Sequence, residues 1–185
     1  MRGEGDTAPD FTLMGYDPEG VVSEYSLSET TSAGRYVILF FYPADFSPVC
    51  TPQLCSIRDA EFFAVADDVV AWGLSADTTY AHEAFARKHG FDFPLLADTG
   101  ATVSSRYDAH YDVWEGQRNL PKRAVFLVDP QMEIRYVWRT DDAYERPDLW
   151  PLKEAVETSI EADEIDAPRA TLETEPNFGL LRSEE

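Results

Sequence analysis

The amino-acid sequence predicts an α/β fold, in which helices cover both faces of a mixed central β-sheet. Two observations support this class: short apolar runs alternate with amphipathic stretches at helical spacing, and the last two predicted strands follow each other directly as a hairpin. The chain has 185 residues, of which 44% are hydrophobic, so it can build one sizeable core. We therefore expect a single domain, or a domain with a tail, rather than a repeat array or a disordered chain.

An N-terminal β-hairpin and a buried strand are the first predicted elements. Residues 10–17 and 21–25 flank the turn-type sequence DPEG, and a short helical turn can open at Ser26. Residues 36–42, with the sequence YVILFFY, are continuously apolar, which is typical of a central strand buried on both faces. This strand must end at Pro43, because proline cannot donate a hydrogen bond to a neighbouring strand.

Strands and helices alternate through the rest of the predicted domain. A helix is expected from Cys50 to about Ala66, with Pro52 in its first turn, where the missing N–H of proline leaves no hydrogen bond unmade. A second helix is expected from Thr78 to His89, capped by Asp77 and ended by Gly90. The other predicted elements are strands at 69–74 and 93–96, a short helix at 101–108, an edge hairpin of strands 123–129 and 133–138, and a closing helix at 146–161.

The C-terminal segment differs from the rest in composition. Residues 162–185 hold seven carboxylates, two arginines and two prolines, with little periodicity. We therefore assign the folded domain to residues 1–161 and expect residues 162–185 to form an acidic tail or arm.

The net charge restricts the kind of partner that the protein can bind. Lys and Arg number 15 and Asp and Glu number 35, which gives a formal charge of −20. Such a surface repels phosphate backbones, so nucleic acid is not an expected partner. At about 1 M salt the Debye length falls to about 3 Å, and repulsion between carboxylates is then largely screened. We interpret the charge as that of a salt-adapted, halophilic protein, with an acidic mesophilic surface as the alternative.

The distribution of apolar residues predicts a cytoplasmic protein. The longest apolar run is Tyr36–Tyr42, far shorter than the roughly 18 residues of a membrane span. The N-terminal sequence MRGEGDTAPDF also lacks the apolar segment of a signal peptide. In the reducing cytoplasm, a disulfide between the two cysteines of the chain would be transient rather than structural.

Cys50 is the candidate nucleophile. It follows a buried strand and a loop, and it lies at the predicted start of a helix, where free backbone N–H groups and the helix dipole stabilise a thiolate. A nearby arginine would add to this effect, because its charge is permanent. Ser47, three residues earlier, carries a hydroxyl that can donate to the sulfur or to an incoming oxygen.

Cys55, five residues further on, is the second candidate. On an intact helix, five residues separate the two Cα atoms by about 9 Å. A disulfide tolerates a separation of at most about 7 Å, so a bond between Cys50 and Cys55 requires the start of the helix to unwind, which Pro52 makes easier. The alternative is a pair of idle buried thiols, because free cysteine is a common core residue.

The segment FYPADFSPVCTPQLCSIRD resembles the active-site segment of the peroxiredoxins, which are thiol peroxidases with a thioredoxin-like fold. Their pattern of Pro, three residues, Thr or Ser, two residues and Cys is present as Pro43, Ser47 and Cys50. The second cysteine is similar to that of the bacterioferritin-comigratory-protein or peroxiredoxin Q branch. Three further segments, beginning GDTAPDF, GLSADTTY and NLPKRAVF, extend the resemblance over about residues 5–160.

The resemblance implies a role for each of five residues. Cys50 would be the peroxidatic cysteine and Cys55 the resolving cysteine, while Pro43 would shield the thiolate, Ser47 would hold the peroxide and Arg123 would be the active-site arginine. The sequence departs from the family where Ser47 replaces the commoner Thr and where Gln53 stands in place of Glu. The presence of Gln53 puts a charged contact with Arg123 in doubt, but it leaves the role of Cys50 as the nucleophile unaffected.

The implied activity is the reduction of hydrogen peroxide and organic hydroperoxides through a sulfenic acid and an intramolecular disulfide. Thioredoxin or a similar dithiol protein would regenerate the thiols, no metal or organic cofactor would be needed, and the protein would be a monomer or a homodimer. Without the resemblance, the residues leave open a redox-sensing or metal-chaperone module, or a protein disulfide oxidoreductase. A protein disulfide oxidoreductase normally has Cys-x-x-Cys, whereas four residues separate the two cysteines here.

His82 and His89 share a predicted helix, and we assign them surface or capping roles because no third metal ligand is evident.

Overall fold

The computed structural model describes residues 1–60 and 67–166. The strands are β1 (Thr12–Tyr16), β2 (Val22–Ser26), β3 (Tyr36–Phe41), β4 (Val69–Ser75), β5 (Leu95–Ala97), β6 (His110–Trp114), β7 (Gln117–Pro121), β8 (Ala124–Val128) and β9 (Ile134–Arg139). The helices are α1 (Leu27–Ser32), α2 (Cys50–Arg58), α3 (Thr79–His89), α4 (Thr102–Arg106) and α5 (Leu149–Asp166).

A seven-stranded mixed sheet forms the centre of the molecule, with the strand order β2-β1-β5-β4-β3-β8-β9. Strand β3 is parallel to β4 and antiparallel to β8, and all six of its residues are buried, as the unbroken apolar run predicts. The register places Phe41, at the end of β3, opposite Ala124, at the start of β8. The loop that leaves β3 and the residue that precedes β8 therefore lie at the same edge of the sheet.

Helices cover both faces of this sheet, because successive strand residues point to opposite sides. Ile38 and Phe40 of β3 belong to one core cluster, together with residues of α2, α3 and α5. Val37, Leu39 and Phe41 belong to the other, together with residues of α1 and α4. The predicted α/β class, the N-terminal hairpin and the edge hairpin of β8 and β9 are confirmed.

Helix α2 is shorter than predicted. It ends at Arg58, where the N–H groups of Asp59 and Ala60 turn back to the carbonyls of Cys55 and Ile57. The sequence-based extension to Ala66 used Phe62 and Val65, and these two residues lie outside the described part of the chain.

The cap of α3 also differs from the prediction. The Thr78 hydroxyl, not Asp77, accepts the hydrogen bond from Ala81 N–H that caps the helix. The Asp77 carboxylate instead accepts hydrogen bonds from Ser75 Oγ and from the backbone N–H of Asp45, which joins the end of β4 to the loop after β3. The predicted Gly90 terminus is confirmed, with φ +63°.

The closing helix differs from the prediction in its extent. Helix α5 begins at Leu149 and continues through Asp166, past the expected end at 161. Residues 167–185 lie outside the described part, so the domain boundary at 161 stays a prediction.

Strands β6 and β7 form a second, two-stranded sheet that the sequence did not predict. Within the described ranges, none of the helices combines the length and apolar character needed to span a membrane.

Candidate active site

Cys50 is the first residue of α2, and its side chain is fully buried. The position is the one that the sequence predicts: β3 ends, an eight-residue loop crosses the sheet edge, and the helix begins at the cysteine. Ser47 organises this turn, because its hydroxyl accepts hydrogen bonds from the backbone N–H groups of Val49 and Cys50, at 3.3 and 3.4 Å. Since a hydroxyl can accept two hydrogen bonds and donate one, the Ser47 proton remains able to donate to a further oxygen.

Arg123 meets the cysteine from the other side, because it immediately precedes β8. Its side chain is 1% exposed, and its Nη2 donates to Cys50 Sγ at 3.2 Å. The guanidinium is fixed by two further hydrogen bonds, from Nε to the Ala143 carbonyl at 2.6 Å and from Nη1 to Gln53 Oε1. The position and the orientation of the planar guanidinium are thereby fixed.

One of the groups hydrogen-bonded to Arg123 is ionisable. Of the three groups that accept its hydrogen bonds, a backbone carbonyl, an amide and a sulfur, only the Cys50 sulfur can carry a negative charge. A buried cation is costly unless an opposite charge compensates it. A negative charge on this sulfur would offset that cost, and the thiolate is the nucleophilic form of cysteine.

The presence of Gln53 in place of Glu put a contact with Arg123 in question. The structure contains such a contact. The amide oxygen accepts from Arg123 Nη1, and the amide group is 2% exposed. The contact is a neutral hydrogen bond rather than an ion pair, so it leaves the arginine charge to the sulfur. The other end of the amide, Nε2, has no hydrogen-bond partner within the described part of the chain.

Pro43 and Cys55 occupy the positions expected from the sequence. Pro43 is buried two residues after the end of β3. Cys55 lies on the same intact helix as Cys50, is partly exposed and has a free thiol, as does Cys50. An intact α2 separates the Cα atoms of the two cysteines by about 9 Å, so a bond between them is possible only after the first turns unwind.

The structure corrects the surface or capping role assigned to His82. This side chain is fully buried, and its Nδ1 lies 2.9 Å from the Asp45 carboxylate while its Nε2 lies 3.1 Å from the Leu96 carbonyl. Both ring nitrogens therefore face oxygen atoms of the surrounding structure. The Tyr42 hydroxyl donates to the same carboxylate at 2.8 Å.

This network is a second anchor for the active-site loop. Burial and the neighbouring Asp45 carboxylate raise the pKa of the Tyr42 hydroxyl well above its usual value, so Tyr42 remains a donor. Because Asp45 lies between Pro43 and Ser47, the network holds the middle of the loop against α3 and β5. A signal for it was present in the sequence: His82 lies three residues before Phe85, on the apolar face of the predicted helix.

No group of three or more His, Cys, Asp or Glu side chains that could hold a metal ion occurs in the part of the chain that the structure describes. The groups that meet at the site are the buried Cys50 thiol, the Arg123 guanidinium, the Ser47 hydroxyl and the Gln53 amide.

Comparison with known proteins identifies the class. Residues 4–137 match the model of the AhpC/TSA family, and this match covers most of the chain. The solved structure of AhpC from Enterococcus faecalis superposes with a TM-score of 0.75 at 25% identity, over 91% of this chain and 98% of that one. The chain therefore belongs to the AhpC/TSA family, the peroxiredoxins, which are thiol-dependent peroxidases with a thioredoxin-like fold.

The relatives also define the branch. Peroxiredoxin Bcp of Bacillus subtilis is 35% identical over 143 residues, which are 73% of this chain and 83% of the relative. Chloroplastic peroxiredoxin Q of Triticum aestivum is 34% identical over 137 residues, and there the match spans 58% of the longer relative. These similarities assign the protein to the Bcp/peroxiredoxin Q branch, as the resemblance of the cysteine segment predicted.

Proposed function

We propose that this protein reduces hydrogen peroxide and organic hydroperoxides, with Cys50 as the peroxidatic cysteine and Cys55 as the resolving cysteine. The observation that carries the proposal is the 3.2 Å hydrogen bond from Arg123 to Cys50 Sγ inside a buried site. It supports a thiolate at Cys50 and supplies a positive charge where the peroxide oxygens must bind.

The first step transfers one oxygen from the peroxide to sulfur. The Cys50 thiolate attacks the terminal oxygen of ROOH, a sulfur–oxygen bond forms, and the O–O bond breaks to release RO⁻, which takes up a proton and leaves as ROH. Sulfur is oxidised to a sulfenic acid while the peroxide is reduced. Donors from Arg123 and Ser47 stabilise the negative charge that develops on the leaving oxygen.

The second step joins the two cysteines. Once the first turns of α2 have unwound, the Cys55 thiol attacks the sulfur of the Cys50 sulfenic acid, and the S–S bond forms as the hydroxyl leaves with a proton as water. The turn that must open is held by the backbone hydrogen bonds from Thr51 N–H to the Ser47 carbonyl and from Gln53 N–H to the Val49 carbonyl, at 3.0 and 3.3 Å. Pro43 shields the reactive sulfur before this opening.

The third step returns the enzyme to its dithiol form. An external dithiol protein, thioredoxin or a similar reductant, attacks the Cys50–Cys55 disulfide, becomes oxidised to its own disulfide and restores both thiols. This cycle requires no metal or organic cofactor. It operates within one chain, so it is compatible with a monomer or a homodimer.

Peroxide consumption by cysteine variants tests the proposal. With a dithiol reductant present, Cys50→Ser should lose all consumption above background, because Cys50 is the thiol that lies beside Arg123 and Ser47. Cys55→Ser should still consume one equivalent of peroxide per chain and then fail to recycle through the dithiol protein. Full turnover by Cys50→Ser would contradict the role of Cys50, and unchanged recycling by Cys55→Ser would contradict the resolving role alone.

We further propose that the protein works in a salt-rich cytoplasm. The formal charge of −20 on 185 residues supports this, because molar salt screens the repulsion among surface carboxylates. The expected result is a urea midpoint that rises steadily between 0.05 and about 2 M KCl. A fold and an activity that are already maximal without added salt would contradict the salt adaptation and leave the peroxidase chemistry untouched.

A further inference from the structure

The loop between β3 and α2 contains a buried carboxylate. Asp45 comes two residues after Pro43 and two residues before Ser47, in the middle of the segment that carries the proposed active-site residues. Its side chain is 2% exposed, and a carboxylate is seldom buried to this extent unless it is paired. The proposed catalytic steps give Asp45 no role, so its burial calls for another explanation.

Three attachments hold Asp45 in place. Its Oδ1 accepts a hydrogen bond from the Tyr42 hydroxyl at 2.8 Å, and its Oδ2 lies 2.9 Å from Nδ1 of His82 on α3. Its backbone N–H donates to the carboxylate of Asp77, two residues after β4, at 2.8 Å. Both the side chain and the main chain of Asp45 are therefore tied to the ends of two central strands and to a helix.

The next residue has a backbone conformation that needs such support. Phe46 has a φ of +58°, in the left-handed region that is unfavourable for a residue with a Cβ atom. Its ring packs on the buried ring of Phe85, with the centroids 4.9 Å apart. Such a conformation persists where the surrounding structure fixes it. Here Asp45 fixes the chain before Phe46, and the Ser47 hydroxyl, bonded to two N–H groups at the helix start, fixes it afterwards.

We propose that Asp45 is a positioning residue for the oxidation of Cys50, an inference that rests on the proposed function. The hydrogen bonds of its carboxylate run to Tyr42 and His82 rather than to the reacting groups, so Asp45 acts through the backbone that it anchors. It holds the left-handed turn that aims the Ser47 hydroxyl at the start of α2, and so keeps that hydroxyl where a peroxide oxygen must bind.

Loss of this anchor should affect two reactions of Cys50 differently. A misplacement of about 1 Å can lower the rate of a catalysed step about 100-fold, and reduction of a peroxide depends on the placement of Ser47. Alkylation by iodoacetamide requires a thiolate and access to the sulfur, but no donors placed to bind oxygen. A loosened loop should therefore slow oxidation by peroxide while alkylation stays unchanged or becomes faster.

Paired rate measurements test the proposal in a Cys55→Ser parent, in which Cys50 is the only thiol because the chain has two cysteines. In Asp45→Ala, the rate constant for hydrogen peroxide should fall about 10- to 100-fold, without a fall in the rate constant for iodoacetamide. Tyr42→Phe removes one hydrogen bond to Asp45 and retains the ring, so a fall of about threefold is expected. Asp45→Asn retains an acceptor for Tyr42 and should react faster than Asp45→Ala.

The matched control is Ile134→Ala, a core truncation on the opposite face of the sheet from Cys50. It should lower the urea midpoint at least as much as Tyr42→Phe does and leave both rate constants at the parent values. Amide hydrogen exchange gives a readout that needs no peroxide. The N–H groups of Val49 and Cys50, which donate to Ser47, should exchange faster in Tyr42→Phe and at the parent rate in Ile134→Ala.

The outcomes separate this role from the proposed function. A parent-like rate constant for peroxide in Tyr42→Phe and in Asp45→Ala overturns the positioning role, and Tyr42→Phe decides alone if Asp45→Ala does not fold. A fall in alkylation by the same factor as oxidation also overturns it, because the carboxylate would then act on the thiol itself. A parent whose Cys50 is not oxidised by peroxide, with exchange at Val49 and Cys50 still faster in Tyr42→Phe, overturns the proposed function instead.

Discussion

Arg123 Nη2 lies 3.2 Å from Cys50 Sγ, and neither side chain is more than 1% exposed. Seventy-three positions separate the two residues in the chain, and the antiparallel register of β3 and β8 brings them together at one edge of the sheet. The neutral Gln53 occupies another donor of the same guanidinium without taking up its charge. The site therefore couples one buried cation to one sulfur.

Replacement of Arg123 should slow the oxidation of Cys50 far more than it affects the fold. In Arg123→Met the peroxide loses a charged donor, and loss of one such donor typically costs about 100- to 1000-fold in rate. Stopped-flow tryptophan fluorescence should show this loss in the second-order rate constant with hydrogen peroxide. Arg118→Met, on the exposed strand β7, is the matched control and should react at the wild-type rate. A wild-type rate in Arg123→Met would show that the arginine only supports the structure.

The Ser47 hydroxyl should contribute to both the helix start and the reaction. Ser47→Ala removes the acceptor for the N–H groups of Val49 and Cys50, and loss of a comparable helix cap costs about 0.5–2 kcal/mol of unfolding free energy. It also removes the free O–H donor, so we expect a slower oxidation of Cys50 by peroxide. Ser47→Thr retains the hydroxyl and should restore both the urea midpoint and the rate. If Ser47→Thr behaved like Ser47→Ala, the hydroxyl would not be the group that matters.

His82 should be a large contributor to stability. In His82→Asn the buried Asp45 carboxylate keeps the Tyr42 hydroxyl but loses the imidazole at 2.9 Å, and loss of a buried hydrogen-bond partner costs about 1–3 kcal/mol. Urea unfolding should show this loss, and the double variant His82→Leu with Asp45→Asn should recover part of it. His110→Asn is the control, because His110 pairs with the exposed Asp112, and its effect should stay within about 0.5 kcal/mol.

His89 should make stability depend on pH around and below the usual histidine pKa of about 6.5. Burial, and after it the charges of Lys88 and Arg58, lower the pKa of His89 below its usual value. The unfolded chain therefore binds more protons than the folded protein in this interval, so the contribution of His89 to stability is present above the unfolded pKa and is lost as pH falls through the two values. The Tm of wild type minus that of His89→Gln should fall as the solution is acidified. A difference that stays constant, or that rises, would contradict the shift.

Much of the fold could be predicted because its signals are local. The apolar run of β3, the helix start at Cys50 and the Gly90 terminus each depend on a few adjacent residues. Strands β6 and β7 gave a weak signal, because half of their side chains are exposed and their turn is Glu115-Gly116. Both turn residues have positive φ, 50° and 78°, which Asn-Gly or Asp-Gly signals far more clearly than Glu-Gly does.

The candidate site was predictable in its cysteines and less so in its surroundings. Spacing relates Cys50 to Cys55 and Ser47, whereas the contact with Arg123 had only the family resemblance to support it. The burial of His82 depends on Asp45, which comes from a loop 37 positions earlier, and no local pattern pairs the two. The unpaired Nε2 of Gln53 is likewise visible only once Arg123 has fixed the amide.

The central claim is that Cys50 is oxidised and that Cys55 then bonds to it after α2 unwinds. Mass spectrometry of the reduced protein after one equivalent of hydrogen peroxide tests both parts together. We predict that the intact mass falls by two hydrogen atoms and that peptide mapping finds a Cys50–Cys55 link, with no link in Cys50→Ser. A Cys50 that carries added oxygen while Cys55 stays a free thiol would contradict the account.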